Sequence, residues 1–396
     1  MVERSDMKKR FNNLGFWVLQ LVIAYSVFAN IPTDWYYGRT RDFTNARSLG
    51  LAGISTIIPS PSGMFINPAL LGLIKNPSFD FSAALNWTSE KRTKELFDQF
   101  ENTIGEISVA DNMFTHTKVS PLAIAYPLPA FGGTRIGLGL GYTSVIDYNY
   151  YFHKELRDDY YQKIGDYELK ATGQTQGINF ATGVNLNNPS LADINIGAGL
   201  CYSWGNHQST QESDSFQIKA LNFNFGAVTG LGERLKIGFD FQNRWKMHWK
   251  PTAEQVNPPT FYYLWTSSFG LGATYNFPGE IPTIALTEFR YIYWQDRDHP
   301  SSGQNSLNIR AGIEHTMLND VKLRYGFGVI PSLIKLTPPT VLISFGLGFS
   351  VESLKFDIGA NIQRCTLTEE NFYWPIDEEK VYETFGNIVI SVSRSF

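Results

Sequence analysis

A chain of 396 residues would ordinarily divide into two or more soluble domains, but no linker or composition shift divides this one after residue 77. It is 43% hydrophobic and only 18% charged, with 34 glycines, 20 tyrosines and 29 phenylalanines, which favours one large all-β unit. A net charge of −4 with no basic stripe excludes nucleic acid as a partner, and two isolated cysteines, Cys201 and Cys365, exclude a disulfide scaffold.

The first element is a targeting segment. Lys8, Lys9 and Arg10 precede an apolar run from Leu14 to Ala29, and Val27 and Ala29 are small enough for cleavage before Asn30. Residues 1–29 are therefore expected to be a signal peptide, whose removal takes the net charge from −4 to −6. The run is short for a spanning helix and nothing later reaches the length of one. No cysteine lies near the cleavage site, so a lipoprotein is not expected.

Residues 30–76 form the next unit, centred on Asn45 to Leu73, NARSLGLAGISTIIPSPSGMFINPALLGL. This stretch has neither helical nor alternating periodicity, and Pro59, Pro61 and Pro68 remove backbone donors. It cannot satisfy its backbone polar groups in a ladder of its own and needs a surrounding structure. It reads either as a plug threaded inside a barrel or as a sticky arm laid on the surface, with Ile54, Ile57, Ile58, Met64, Phe65, Ile66, Leu70 and Leu71 as the adhesive residues.

Three features carry a family resemblance. Gly50-Leu51-Ala52-Gly53 is followed by Phe65-Ile66-Asn67-Pro68-Ala69-Leu70-Leu71, and Pro77-Ser78-Phe79 then opens the first strand. Ser120-Pro121, Tyr126-Pro127 and Gly137-Leu138-Gly139 follow. Together they resemble the N-terminal hatch and early strands of the FadL/TodX-type outer-membrane transporters, and are similar to the related PorV-type barrels. The chain departs from the family at Thr143-Ser144-Val145-Ile146, where a Pro-Phe-Gly turn is common. The resemblance implies a hatch carrying Asn67, Pro68 and Ala69, and a hydrophobic small-molecule ligand such as a long-chain fatty acid or hydrocarbon. The PorV likeness implies instead an interaction module for secretion or surface display, with a protein partner bound through extracellular loops.

From Ser78 onward the signal is period-two alternation. Residues 341–351 place Val341, Ile343, Phe345, Leu347, Phe349 and Val351 on one face and mostly small or polar residues on the other. A transmembrane barrel turns such an apolar face to lipid and the small, polar face to its lumen. On that reading a small substitution such as Gly346→Ser is expected to be tolerated. Fourteen strands are expected: 78–87, 118–127, 134–148, 171–186, 192–204, 216–229, 234–249, 264–277, 282–294, 306–318, 321–330, 339–351, 354–366 and 384–396. Gaps after odd-numbered strands run from 8 to 30 residues and those after even-numbered ones from 2 to 6, the pattern of long extracellular loops and short periplasmic turns. Residues 77–396 are thus expected to form a fourteen-stranded antiparallel outer-membrane β-barrel in contact with lipid. Trp87, Trp204, Trp249, Trp265 and Trp294 fall at the long-loop ends, where an aromatic girdle sits. The terminal Phe396, on one face with Arg394, Val392, Ile390 and Ile388, looks like an outer-membrane assembly signal.

The same parity turns Asp240, Arg244, Glu288, Arg290, Arg310, Glu314, Arg324 and Asp357 toward the lumen. Balanced charge is expected there, because an unpaired buried charge is costly. The ladder reads as a structural network anchoring the plug, or as a polar gate beside a transport path. Pro121 cannot donate to a ladder; it marks either a lateral opening in the wall or simply a strand that begins at Leu122. Leu96, Phe97, Phe100, Ile104 and Ile107 share a helical face within residues 90–107, and Tyr148, Tyr150, Tyr151, Phe152, Tyr160 and Tyr161 crowd residues 148–164. Both segments are expected to be loops offering an outward apolar groove or covering the barrel mouth. The six histidines show no metal-ligand spacing, and no nucleophile elbow or phosphate loop occurs, so neither a catalytic site nor a cofactor is expected.

Overall fold

The computed structural model describes residues 38–396 except 42, 130–132, 158–161, 187–192, 211–214, 244–245, 253–260, 265, 294–303, 332–338 and 368–378. The expected signal peptide and cleavage site lie outside the described residues, as do Arg244, Trp265, Trp294, Tyr160 and Tyr161. In chain order the strands are β1 (Arg39–Thr40), β2 (Ser78–Phe97), β3 (Thr103–Pro127), β4 (Arg135–Asp147), β5 (Tyr150–Arg157), β6 (Lys163–Leu186), β7 (Ile194–Ser209), β8 (Ser215–Leu231), β9 (Leu235–Gln242), β10 (Lys246–Pro251), β11 (Phe261–Leu264), β12 (Ser267–Phe277), β13 (Thr283–Tyr293), β14 (Ser306–Thr316), β15 (Lys322–Ile330), β16 (Thr340–Val351), β17 (Leu354–Leu367) and β18 (Glu379–Ser395).

Fourteen staves close the wall, all antiparallel. β4 and β5 lie on one stave, β9 and β10 on another and β11 and β12 on the one beside it, while β1 is accessory. The ring closes where β18 pairs with β2, from Ser395↔Ser78 to Glu379↔Lys94. Closure pairs the first stave with the last, so the backbone groups along this seam are satisfied by each other. The break between β9 and β10 falls at Asn243, whose side chain accepts a hydrogen bond from Phe223 N at 2.7 Å in place of the ladder.

Alternation along the strands has the expected orientation. Phe345, Ile124, Phe180, Leu200, Leu271 and Ile390 are exposed on the outer surface, whereas Ser344, Ala123, Ala181, Val389 and Ser391 are buried. No helix among the described residues is long and apolar enough to cross a membrane. A closed barrel with an outward apolar band is the architecture of an outer-membrane protein. At the C-terminus the Arg394 guanidinium lies over the Phe396 ring at 4.7 Å, and Phe396 N donates to Pro77 O at 2.9 Å, tying the last residue to the first stave.

Three expectations are corrected. Residues 90–107 are not a helical loop: β2 and β3 continue as a paired hairpin to Phe97↔Thr103. Asp98 makes the turn, accepting from Phe100 N and Asn102 N, and Glu101 takes the left-handed conformation at φ 62°. The helical spacing of Leu96, Phe100 and Ile104 was coincidental. Within the expected groove at 148–164, the described Tyr148, Tyr150 and Phe152 point inward and are buried rather than facing outward. Trp249 is not a girdle residue; it packs inside against Tyr148, His207 and Phe216.

Candidate functional site

The N-terminal segment has short helical turns, each started by a polar cap. Asn45 and Ser48 form a reciprocal capping box on α1 (Ala46–Gly50). Ser60 caps a 3-10 turn over Pro61–Phe65, and Asn67 caps another over Pro68–Leu73. Proline in the first position of each 3-10 turn sacrifices a donor that had no partner there.

The segment's remaining polar groups are met by the wall, on all sides. Ala46 N donates to Ser391 Oγ on β18 at 2.8 Å, and Ala52 N to Ser344 Oγ on β16 at 2.8 Å. Asn224 Nδ2 on β8 donates to Met64 O at 3.0 Å. Asp80 on β2 accepts from Ser62 Oγ at 2.7 Å. These partners lie on β2, β8, β16 and β18, staves on different sides of the ring. Its apolar side chains fill the space: Leu51, Ile54, Ile57, Ile58 and Leu70 join Val228 and Leu286 in one cluster, and Met64, Phe65 and Leu71 pack on Ala123, Ala125 and Ala181 in another. Each fully buried leucine or isoleucine contributes about 1.5–3 kcal/mol.

The inward glycines explain how the backbone fits. A methyl group at Gly183 would stand 2.6 Å from Gly72 N, and one at Gly197 would stand 2.5 Å from Ala69 N. A methyl group at Gly346 would meet Gly50 Cα at 3.1 Å. Glycine there is a seat for the segment, so the inward face is less permissive than parity alone implies. Asn67 is fully buried; its Nδ2 donates to Thr56 O at 2.7 Å and to Phe239 O at 3.2 Å, while Oδ1 accepts from Ala69 N at 3.1 Å. With Pro68 and Ala69 it rests against Gly197 and Gly226, near the short-turn ends of β7 and β8.

The described charges of the ladder fall into two clusters. In the first, Arg290 makes a bidentate pair with Asp240, 2.9 Å at each contact, and reaches Glu288 at 3.2 Å. Glu288 accepts from Ser55 N at 2.8 Å and Thr56 N at 2.9 Å; Thr56 Oγ1 donates to Asp240 at 2.5 Å; Arg310 donates to Gly53 O at 2.9 Å. In the second, Glu314 accepts two bonds from Arg47 of α1 at 2.8 Å each and one from Arg324 at 2.6 Å, and Arg324 also binds Asp357 at 2.5 Å. Both clusters bond directly to the N-terminal segment. Sequence reading missed Asp80, Arg47 and Thr56. The parity of Ser78, Asp80, Ser82 and Ala84 contained the signal for Asp80, but residues in an aperiodic segment carry no parity to read.

The β3–β4 ladder runs from Pro127↔Gly137 to Leu122↔Tyr142 and stops one residue short of Pro121. A register shift in the β2–β3 ladder falls at the same level, between Phe81 and Ala83. Beyond it, the two staves stand apart until Asn112 and His153 of β5 exchange hydrogen bonds of 3.1 and 3.0 Å. A cavity of about 50 Å³ beside this interval is lined by His116 and Lys118 of β3, Asp147 of β4, Asn86 of β2 and Phe385 of β18, together with Arg39, Thr40, Arg41 and Phe43. His116 and Lys118 both reach across to Asp147. A second cavity of about 150 Å³ lies in the lumen, lined by Arg41, Phe65, Asn179, Asn222, Arg290 and Asn308 among others.

No family model and no curated protein matches the sequence. Solved structures do match its shape. A FadL homologue from Pseudomonas aeruginosa aligns with a TM-score of 0.60 at 12% identity, over 91% of this chain and all of that one. The toluene transporter TodX of Pseudomonas putida gives 0.56 at 12% identity over 91% and 99% of the two chains. The toluene transporter TbuX of Ralstonia pickettii gives 0.55 at 12% identity over 90% and 99%. The fold is that of the FadL-type barrels.

Proposed function

We propose that this FadL-type barrel passes hydrophobic small molecules across the outer membrane. Residues 45–73 act as the plug that denies a straight aqueous route, and the gap above Pro121 acts as a side exit toward lipid. The observation that carries it is the combination of an N-terminal segment bonded to the inward face of the barrel with a wall whose β3–β4 ladder stops at Leu122. A polar solute has no open path past the plug, whereas an apolar one can leave the lumen through the wall without crossing water. The solved neighbours named for fatty-acid-type or toluene transport support the substrate class. The two ion clusters serve as anchors that hold the plug to β13, β14 and β15.

The test is uptake into liposomes carrying the purified protein, with a fluorescent long-chain fatty acid and toluene as two separate probes. Uptake of at least one above protein-free liposomes, with no matching leak of a small hydrophilic dye, is expected. Equal uptake with and without protein for both probes would contradict the reading.

A further inference from the structure

We propose that Lys219, Lys246 and Lys250 form a site on the outside of the barrel that holds the phosphates of an outer-leaflet glycolipid. The site faces the membrane and not the lumen, so it does not depend on the transport reading. Near its extracellular end β8 pairs with β7 on one side and with β10 on the other. Lys219 of β8 stands opposite Trp204 of β7 and opposite His248 of β10. Lys246 and Lys250 lie two residues to either side of His248, on the same face of β10. All three lysines are exposed, whereas Ile218, Ala220, Met247 and Trp249 alternate with them and are buried. Diagonal neighbours on one face of a sheet are about 7–8 Å apart. Three ammonium groups on flexible stems at that spacing can converge on one anionic group.

The height of the site on the wall selects a lipid. Leu231, Phe225, Phe223 and Leu221 are exposed along the outward face of β8, and Lys219 is the next residue outward on that face. The ten residues from Leu231 to Leu221 rise about 33 Å, and a tilt of about 40° leaves about 25 Å, the height of the apolar band of an outer-membrane barrel. Lys219 therefore stands where the hydrocarbon ends and the headgroups begin. Tyr202 and Trp204 stack beside it on β7, with ring centroids 6.0 Å apart, and such aromatic residues sit at the headgroup level. A lipid whose phosphates meet the lysines can lay its acyl chains along Leu221, Phe223 and Phe225.

The charge of the patch selects an anion. β7, β8, β10 and β11 contain no aspartate or glutamate, and the one acid of β9 and β12, Asp240, is buried inside. Other extracellular lysines meet carboxylates: Lys380 lies between Glu95 and Glu106, and Lys163 between Asp166 and Glu155. Like charges on neighbouring positions of a sheet repel, and a phosphate among them turns that repulsion into charge-assisted hydrogen bonds.

The probe is diphosphoryl lipid A, added to the purified protein in detergent and read by native mass spectrometry as the fraction of barrels that retain one lipid. Fully dephosphorylated lipid A and inorganic phosphate are the comparison ligands. The intact chain should retain the diphosphoryl form and lose the dephosphorylated one. Lys219→Gln, Lys246→Gln and Lys250→Gln combined should weaken binding roughly a hundredfold, at about fivefold per lysine. Lys91→Gln, Lys94→Gln and Lys236→Gln combined remove the same charge elsewhere and should bind as the intact chain does. Heat-modifiable migration verifies the folding of both variants, and the comparison of the two lipid forms needs neither. Equal retention of the two forms, equal weakening in the two variants, or displacement of the lipid by millimolar inorganic phosphate would each overturn the site.

Discussion

At the scale of single residues, one strand separates two kinds of constraint. Phe345 faces lipid near the middle of β16, and Phe345→Arg should cost about 2–4 kcal/mol of barrel stability. Its neighbour Gly346 lies against Gly50 of the N-terminal segment. Gly346→Ser should therefore fold normally but seat the plug less tightly, which would show as raised leak of a hydrophilic dye with unchanged heat-modifiable migration. A silent Gly346→Ser would mean that Gly50 yields freely. Arg290 is a sharper case, since Asp240 and Glu288 are both fully buried beside it. Arg290→Met should lower unfolding stability in urea by about 3–5 kcal/mol, because it strands buried carboxylates. Arg290→Met combined with Asp240→Leu should recover part of that loss, and additive losses would argue against pairing.

Among the elements, the β2–β3 hairpin beyond the membrane is the most exposed. Phe97, Phe100 and Ile104 at its tip are more than half exposed. Besides the β18–β2 ladder, Lys380 ties it to β18, bonding Glu95 at 2.6 Å and Glu106 at 2.8 Å. Those hydrogen bonds from Lys380 hold both carboxyls below their ordinary value and raise the lysine's own. Because the folded carboxyl values are depressed, the stabilisation is present above the ordinary carboxylate value and is lost as pH falls through the folded one. The raised lysine releases the pair only in strong alkali. Amide exchange across the hairpin, corrected for intrinsic rates, should therefore quicken at pH below about 4.5, and Lys380→Met should abolish that pH dependence. This hairpin was also where sequence reading failed. Leu96, Phe97, Phe100, Ile104 and Ile107 have helical spacing, but Thr93, Thr103, Ile104, Ile107 and Val109 are β-branched and favour the strand they occupy. Alternation in β12 and β16 was legible because one face meets lipid and the other the lumen. Beyond the membrane both faces meet polar surroundings and the pattern fades. Trp249 shows another limit: parity along the expected strand turns it outward with Phe239, but the phase of burial shifts between β9 and β10 and Trp249 faces inward.

For the whole molecule, a wall with an outward apolar band turns inward residues that bond its own N-terminal segment, and the proposed function takes that segment as the plug. The fourteen staves could be read from spacing, but the long gaps expected after the first and third of them are largely paired strand, in β2–β3 and β5–β6. The segment's seat could not, because the bonds from Ser55 and Thr56 to Glu288 join residues more than two hundred positions apart. The central claim is that residues 45–73 close the barrel. It is tested most directly by the conductance, in planar bilayers, of a variant lacking Asn45 to Leu73 whose folding is first verified by heat-modifiable migration. A conductance well above that of the intact protein, with free passage of small hydrophilic ions, is expected. A folded deletion variant that stays as closed as the intact protein would contradict the claim, since side chains of the wall or the extracellular loops would then be the barrier.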